Sequence, residues 1–157
     1  MQSKTLVVVP CGSRKIWDKS PKHGPTKAEE AYVSAVFQVN RDFAKKFAER
    51  WVILSAKYGF IDPGFTIPKN YNVSFNEPVS NPISQNQLEA QLKEKGLENY
   101  DVIVTLGGKN YTDIAKKVFP KSAKVLTSTK GLPLGKAMKF VKVLTGLGKE
   151  EMLKKVE

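Results

Sequence analysis

The chain has 157 residues, 41% of them hydrophobic, which predicts a single globular domain with a substantial core. No stretch approaches the roughly 20 consecutive apolar residues of a membrane helix, and no signal-peptide pattern precedes the first apolar run, so we expect a soluble, cytoplasmic protein. A single cysteine, Cys11, excludes an internal disulfide, and with only one histidine present it disfavours a protein-only zinc site. We therefore expect no metal and no cofactor.

The formal net charge of +11 favours an anionic partner, such as a nucleotide, a nucleoside or a nucleic acid. Residues 1–27 carry six basic and one acidic side chain, residues 28–108 carry eight and ten, and residues 109–157 carry twelve and four. The positive charge thus lies in two separate segments that a fold could bring together. The alternative is that the lysines only keep the protein soluble.

Four short apolar runs without polar alternation predict strands that are buried on both faces of a parallel sheet. They span residues 6–9, 51–54, 102–106 and 124–126. Pro10 ends the first run, and small residues with a lysine follow each of the four.

Helical periodicity predicts helices between these strands. The first is a long helix from about residue 27 to residue 50 with one apolar stripe. Ser84 and Gln87 form a capping-box pattern that opens a second helix, which ends at Gly96. The remaining segments are predicted helices over about 111–119 and 134–147, and a tail over 149–157 that is either a short helix or frayed.

Strands that alternate with helices predict an α/β fold. We expect a single Rossmann-like three-layer domain over residues 1–157, with a four-stranded, mainly parallel sheet and a possible frayed tail at 148–157. Proline, glycine and asparagine are frequent between residues 60 and 83. They predict a long loop there, with no regular structure beyond a short strand.

The four strand endings are predicted to form one anion site. They read PCGSRK, LSAKYG, TLGGKN and TSTKG. Because the carboxyl ends of parallel strands share one edge of a sheet, where ligands bind in this fold class, their lysines are expected to surround one crevice. The absence of a Walker motif and of G-x-G-x-x-G disfavours a nucleoside-triphosphate hydrolase or a dinucleotide oxidoreductase.

Backbone N–H groups and lysines in this crevice are predicted to bind a phosphate or nucleotide. The residues expected to contribute are Gly12, Ser13, Arg14, Ser55, Lys57, Tyr58, Gly107, Gly108, Lys109 and Lys130. The alternative is that Gly107 and Gly108 only turn the chain.

Cys11, Lys15 and His23 are the candidate catalytic residues. Cys11 lies near Arg14 and Lys15, whose charge favours the thiolate. The alternative for Cys11 is a small buried hydrophobe. His23 is either an acid–base residue or an exposed loop residue.

Trp17, Asp62 and Tyr71 are candidate base-contacting residues. A loop reaching across the sheet edge could stack an aromatic ring on a base and bind the edge of that base. Trp17 is either such a stacking platform or a lid over the core.

Motifs along nearly the whole chain carry a resemblance. They read PCGSRKIWD, GPT, LSAKYGFIDP, YNVSF, VTLGGKNY and GLPLGKAM. Together they resemble a family of small bacterial and archaeal domains of unknown function. The resemblance implies a fold more strongly than it implies an activity.

A second resemblance lies in the opening stretch, at Pro10, Cys11, Lys15, Trp17, Ser20 and His23. Their spacing is similar to a signature of archaeosine synthase, which modifies a 7-deazaguanine base in archaeal transfer RNA. The similarity implies a distantly related base- or nucleoside-modifying fold with Lys15 at its chemical centre. Gly12, Ile16 and Lys22 depart from the signature, and the chain has no room for that enzyme's RNA-binding and transglycosylase-like domains. A free nucleotide, a nucleoside or a nucleic acid delivered by a partner is therefore as plausible a substrate as transfer RNA.

These observations predict an enzyme, a transferase or a glycosylase, that acts on a nucleobase, nucleoside or nucleotide. Lys15 is expected to be a nucleophile or an electrostatic stabiliser, Lys57 and Lys109 to hold phosphate, and Cys11 and His23 to assist. The competing hypothesis is a non-catalytic nucleotide or nucleic-acid binding module, whose binding would weaken steeply with salt. A purely structural interaction protein is the third alternative.

Overall fold

The computed structural model describes residues 4–121, 123–127 and 129–157. The strands are β1 (Thr5–Pro10), β2 (Thr26–Lys27), β3 (Arg50–Ser55), β4 (Gly59–Ile61), β5 (Thr66–Ile67), β6 (Val102–Thr105) and β7 (Lys124–Leu126). The helices are α1 (Ile16–Lys19), α2 (Ala28–Ala31), α3 (Ala35–Phe47), α4 (Gln85–Glu94), α5 (Lys109–Val118), α6 (Leu134–Thr145) and α7 (Lys149–Val156), with a short 3-10 turn at Pro78–Ser80.

A mostly parallel, mixed sheet forms the centre of the molecule, in the strand order β4-β3-β1-β6-β7. β1 is its middle strand and pairs in parallel with β3 and β6, and Val8 of β1 lies opposite both Val52 and Thr105. β4 runs antiparallel to β3, and β2 and β5 form a separate two-stranded sheet. The α/β class is therefore confirmed.

Helices cover both faces of the sheet, which leaves one core on each side of it. Successive side chains of β1 point to opposite faces and so enter the two cores in turn. Val7 and Val9 pack with Phe43 of α3 and with residues of α6 and α7. Leu6 and Val8 pack instead with residues of α4 and α5. The continuous apolar run of β1 is thus what lets this strand serve two cores at once.

The sheet has five strands in the described residues, where the sequence predicted four. The additional strand, β4, returns antiparallel to β3 through the short turn at residues 56–58. Gly59 has a φ of +76°, and the Gln91 amide accepts from the Phe60 N–H and donates to the Tyr58 carbonyl. The predicted loop therefore begins with a hairpin that a side chain of α4 fixes in place.

The single long helix predicted from about residue 27 to residue 50 was wrong. The chain is extended at Tyr32, where it forms a bridge with Lys15, and the Val33 N–H donates to the Arg14 carbonyl at 3.1 Å. Ser34 then caps α3 by accepting from the Phe37 N–H. Apolar spacing continues through this break, because Tyr32 and Phe37 are both buried on the same side of the sheet.

The predictions for the last helices are largely confirmed. Ser84 and Gln87 form the predicted capping box of α4, and Gly96 follows that helix with a φ of +68°. The tail is a helix rather than a frayed end, because Met152 and Val156 of α7 are buried in the core.

The strand order reverses between β1 and β6. From β1 the chain passes through α3 to β3 on one side, and later returns through α4 to β6 on the other side. Such a reversal leaves a crevice outside the carboxyl ends of the two strands, because the connections that follow them diverge. Residues just after β1 and β6 are therefore the first place to look for a ligand site.

Candidate functional site

Cys11 lies directly beyond β1, at the reversal of strand order. Its N–H donates to the Leu54 carbonyl at 3.1 Å, which continues the pairing of β1 with β3. Its Sγ lies 3.4 Å from the hydroxyl of Tyr111, which belongs to the first turn of α5. The thiol therefore joins the end of the central strand to the helix that follows β6.

A second group of hydroxyls surrounds Tyr71, which the long loop after β5 brings to this edge. The Tyr71 hydroxyl lies 3.0 Å from Ser55 Oγ and hydrogen-bonds to the hydroxyl of Tyr32. Ser55 Oγ also accepts from the N–H groups of Lys57 and Tyr58, each at 3.2 Å. The end of β3 thereby holds the buried Tyr71 in one orientation.

Two of the predicted lysines meet at the ring of Tyr71. The Lys15 Nζ lies 4.5 Å from the ring centroid and the Lys57 Nζ lies 5.7 Å from it. Lys57 also lies over the ring of Tyr58, at 5.4 Å. Both ammonium groups are within the range of a cation–π interaction, so the ring positions two cations beside the hydroxyls.

Burial keeps protons on the acidic groups of this cluster. Desolvation raises the pKa of the Cys11 thiol, although hydrogen bonds from Tyr111 and the Ala56 backbone and the charge of Lys15 act in the opposite direction. Burial and the nearby Cys11 raise the pKa of Tyr71 to about 12, and burial raises the pKa of both Tyr32 and Tyr111. At neutral pH the cluster thus presents protonated donors beside two cations.

We expect alkylation of Cys11 by iodoacetamide to reach half its maximal rate at a pH above the ordinary pKa of a cysteine, because the buried thiol resists ionisation. Lys15→Gln should move this midpoint to still higher pH, since a positive charge that favours the thiolate is lost. Lys124→Gln, at the amino end of β7, is the matched control and should leave the midpoint unchanged. A midpoint below the ordinary value would contradict this account.

Lys109 and Lys130 belong to a different group. The Lys130 Nζ forms an ion pair with Asp113 at 2.7 Å, and this hydrogen bond, followed by the charges of Lys130 and Lys109, lowers the pKa of Asp113. Lys109 is the exposed first residue of α5. The four strand-end lysines therefore form two pairs, one at Tyr71 and one at Asp113, and Ser128 of the fourth ending lies outside the described residues.

The glycines predicted to cradle an anion lie beside these groups. Gly12 packs so closely against Ser34 that a Cβ added to Gly12 would lie 3.0 Å from Ser34 Oγ. Ser13 and Arg14, which follow it, are exposed. Gly107 has a φ of +108° and donates its N–H to Thr129 Oγ1 at 3.1 Å. Gly108 caps α5 at its N-terminus.

Three predicted residues lie apart from the cluster. Trp17 is 4% exposed and donates its indole N–H to the His23 carbonyl at 2.7 Å, as the lid alternative requires. The His23 side chain is exposed, and within the described residues no hydrogen bond joins it to Cys11. Asp62 pairs with Arg50 at 3.1 Å, beyond the end of β4.

Sequence reasoning missed Tyr32 and Tyr111 as members of the cluster. Tyr32 fitted the apolar stripe of the predicted first helix, and Tyr111 marked the start of the third. A tyrosine predicted to be buried needs a hydrogen-bond partner for its hydroxyl. This requirement is the sequence signal that could have identified Tyr32 and Tyr111 as members of the cluster.

Other kinds of site find no support in the described part of the chain. Within residues 4–121, 123–127 and 129–157, no group of three or more His, Cys, Asp or Glu side chains could hold a metal ion. None of the helices in these ranges has both the length and the apolar character needed to cross a bilayer.

Comparison with known proteins places this chain in a family. The model of a family of unknown function, DUF6884, matches residues 6–143, which include both the Tyr71 cluster and the Asp113 pair. The chain is also 39% identical over 132 residues to the uncharacterized protein YfjM of Bacillus subtilis (strain 168), a match that covers 82% of this chain and 88% of that protein. The chain therefore belongs to the DUF6884 family of unknown function.

Proposed function

We propose that this protein is an enzyme that modifies a nucleobase, nucleoside or nucleotide, by group transfer or by cleavage of an N-glycosidic bond. The observation that carries the proposal is the meeting of Lys15 and Lys57 on the ring of Tyr71, beside Ser55 and Cys11, at the carboxyl edge of the sheet. In Rossmann-like sheets this edge, at a reversal of strand order, is where nucleotides bind.

The charges and donors of the cluster suit a phosphorylated substrate. Lys15 and Lys57 supply two cations without a paired carboxylate among the described residues, so their charge is available to an anion. By contrast, Lys130 is neutralised by Asp113. An anionic group of the substrate is therefore expected at Tyr71, with Lys109 as a second contact at the start of α5.

The protonated hydroxyls suit the chemistry of a leaving base. In N-glycosidic cleavage the C1′–N bond breaks, water adds a hydroxyl at C1′, and the departing base takes up a proton. The Tyr71 hydroxyl carries a proton that it can give to the departing base. The hydroxyls of Ser55 and Tyr32, which hydrogen-bond to it, can then supply a new proton to Tyr71. As an ammonium, Lys15 then stabilises the negative charge that develops on the departing base. In a group transfer, Lys15 first gives a proton to the solvent, its neutral amine attacks C1′ as the C1′–N bond to the base breaks, and an incoming acceptor then displaces the lysine from C1′.

The spacing in the opening stretch that resembles the archaeosine synthase signature suggests the same class of substrate. The residues of that similarity separate in the structure, since Cys11 and Lys15 belong to the cluster whereas Trp17 is buried and His23 is exposed. We therefore assign the chemistry to Lys15, Cys11 and Tyr71, with His23 as a residue that only the resemblance supports.

The test is product formation by the purified full chain with nucleosides, 5′-nucleotides and transfer RNA, followed by mass spectrometry. We expect a free base or an altered base from at least one class. The negative control is the double variant Lys15→Ala/Lys57→Ala, which lacks both cations at Tyr71 and should form no product.

Equal product from wild type and double variant would exclude this cluster as the active site. Binding without any product, with an affinity that falls steeply as salt increases, would instead favour the non-catalytic nucleotide or nucleic-acid binding module. The excess of lysine in residues 109–157 is the observation that supports this second candidate.

A further inference from the structure

A cavity of about 170 Å³ lies between α3, α6 and the segments that follow β6 and β7. Its walls are mostly apolar and come from Val36, Leu132, Leu134, Ala137 and Met138. Gly107, Gly108 and Thr129 form its inner end. The volume is similar to that of an apolar cavity known to admit a benzene ring, so one small heterocycle could enter.

Asn40 is the exceptional residue of this cavity. Its side chain lines the cavity and the residue is only 4% exposed. No hydrogen bond joins its side-chain amide to another described residue, and the amide is not among the fully enclosed polar atoms that lack a partner, so it faces the space of the cavity. An unpaired donor and acceptor in a mostly apolar recess is the usual arrangement of a pocket that binds a polar ring.

We propose that this cavity is the pocket for the nucleobase, with the Asn40 amide hydrogen-bonded to the edge of the ring. An asparagine amide offers one donor and one acceptor side by side, which matches adjacent acceptor and donor atoms on a base. The apolar walls contact the faces of the ring.

The position of the cavity fits a nucleotide that spans two groups of residues. Gly107 and Gly108 line the cavity and lead directly into α5, whose first residue is Lys109. Gly107 also lies against Pro10, the residue before Cys11, because a Cβ added to Gly107 would lie 2.7 Å from Cγ of Pro10. The sugar attached to a base held by Asn40 is therefore expected to pass Gly107 toward Cys11 and the Tyr71 cluster, where the proposed function places the reaction. The inference rests on the proposed function, because that function requires a base.

The test is binding of adenosine, guanosine, cytidine and uridine to the full chain, measured by calorimetry. We expect at least one of them to bind, and Asn40→Leu, which keeps the volume but removes the hydrogen bonds, to weaken its binding about tenfold or more. Ala137→Leu places a larger side chain of α6 in the cavity and should also weaken binding. Because it changes a different helix, it keeps the test decisive if Asn40→Leu fails to fold. Lys124→Gln is the control and should bind as wild type does.

The outcomes separate this inference from the proposed function. If no nucleoside binds wild type, or if both cavity variants bind normally, the cavity is not the base pocket, whatever product the enzyme forms. If binding depends on Asn40 but no product forms, the pocket stands and the proposed enzyme activity fails. A Kd that changes only in Lys15→Ala would place the base at the Tyr71 cluster and overturn the inference.

Discussion

Replacing Lys15 by alanine is expected to slow turnover by about 100-fold to 1,000-fold, the usual cost of removing one group that stabilises transition-state charge. The Lys15 ammonium is held 4.5 Å from the ring centroid of Tyr71, close enough to Cys11 to favour its thiolate. No other described cation is placed so near both groups. Lys57, which is farther from the Tyr71 ring, should support the residual rate.

Lys15→Arg separates the two roles open to this residue. If Lys15 stabilises charge, arginine should restore a measurable part of the rate, because it remains cationic. If Lys15 is a nucleophile, arginine should be as inactive as alanine, and a covalent adduct should be trapped on the wild-type lysine. Steady-state kinetics with Lys124→Ala as the control check this, and an unchanged rate in Lys15→Ala removes Lys15 from the chemistry.

Gly107→Ala is expected to destabilise the fold by about 2–6 kcal/mol in urea unfolding. Gly107 has a φ of +108°, which an L side chain adopts only at a cost of about 1–3 kcal/mol. The new Cβ would also lie 2.7 Å from Cγ of Pro10, a ring that cannot move away easily, and overpacking of this kind costs about 1–3 kcal/mol. The two costs arise at the contact between β1 and the residues after β6.

Gly64→Ala is the matched control for this substitution. No atom lies within 4 Å of an added Cβ at Gly64, so its free energy of unfolding should change by less than about 0.5 kcal/mol. Equal stability of the two variants would show that the backbone at Gly107 relaxes readily, and that the close approach to Pro10 does not hold the two strand ends together.

The four parallel strands β1, β3, β6 and β7 could be predicted because each contains a continuous apolar run, the pattern of a strand buried on both faces. The bounds of β7 match the prediction, and those of β1, β3 and β6 differ by a residue or so at their ends. The break before α3 could not be predicted, because Tyr32 and Phe37 are buried with a spacing that a continuous helix also gives. What decides it is a distant bridge to Lys15, which local periodicity does not encode.

The candidate site was predictable in part for the same reason. Strand endings locate Cys11, Ser55 and Gly107 at one edge, since parallel strands share it. Which lysines approach one another depends on the loop that delivers Tyr71, and that loop has little periodicity. Asn40 was not predicted, because on sequence alone it is one polar residue in a helix, and only the packing of α6 shows that it lies in a cavity.

The short outer strands of the sheet have a consequence for solubility. β4 and β7 have three residues each, β4 begins with a glycine and is followed by Asp62 and Pro63, and β7 begins with an exposed lysine. Short, charged or proline-flanked edges offer few free backbone groups to an incoming strand. The molecule thus confines the run of valines in β1, a β-branched segment of the kind that pairs readily with other chains, to the centre of the sheet, where another chain has no edge to extend.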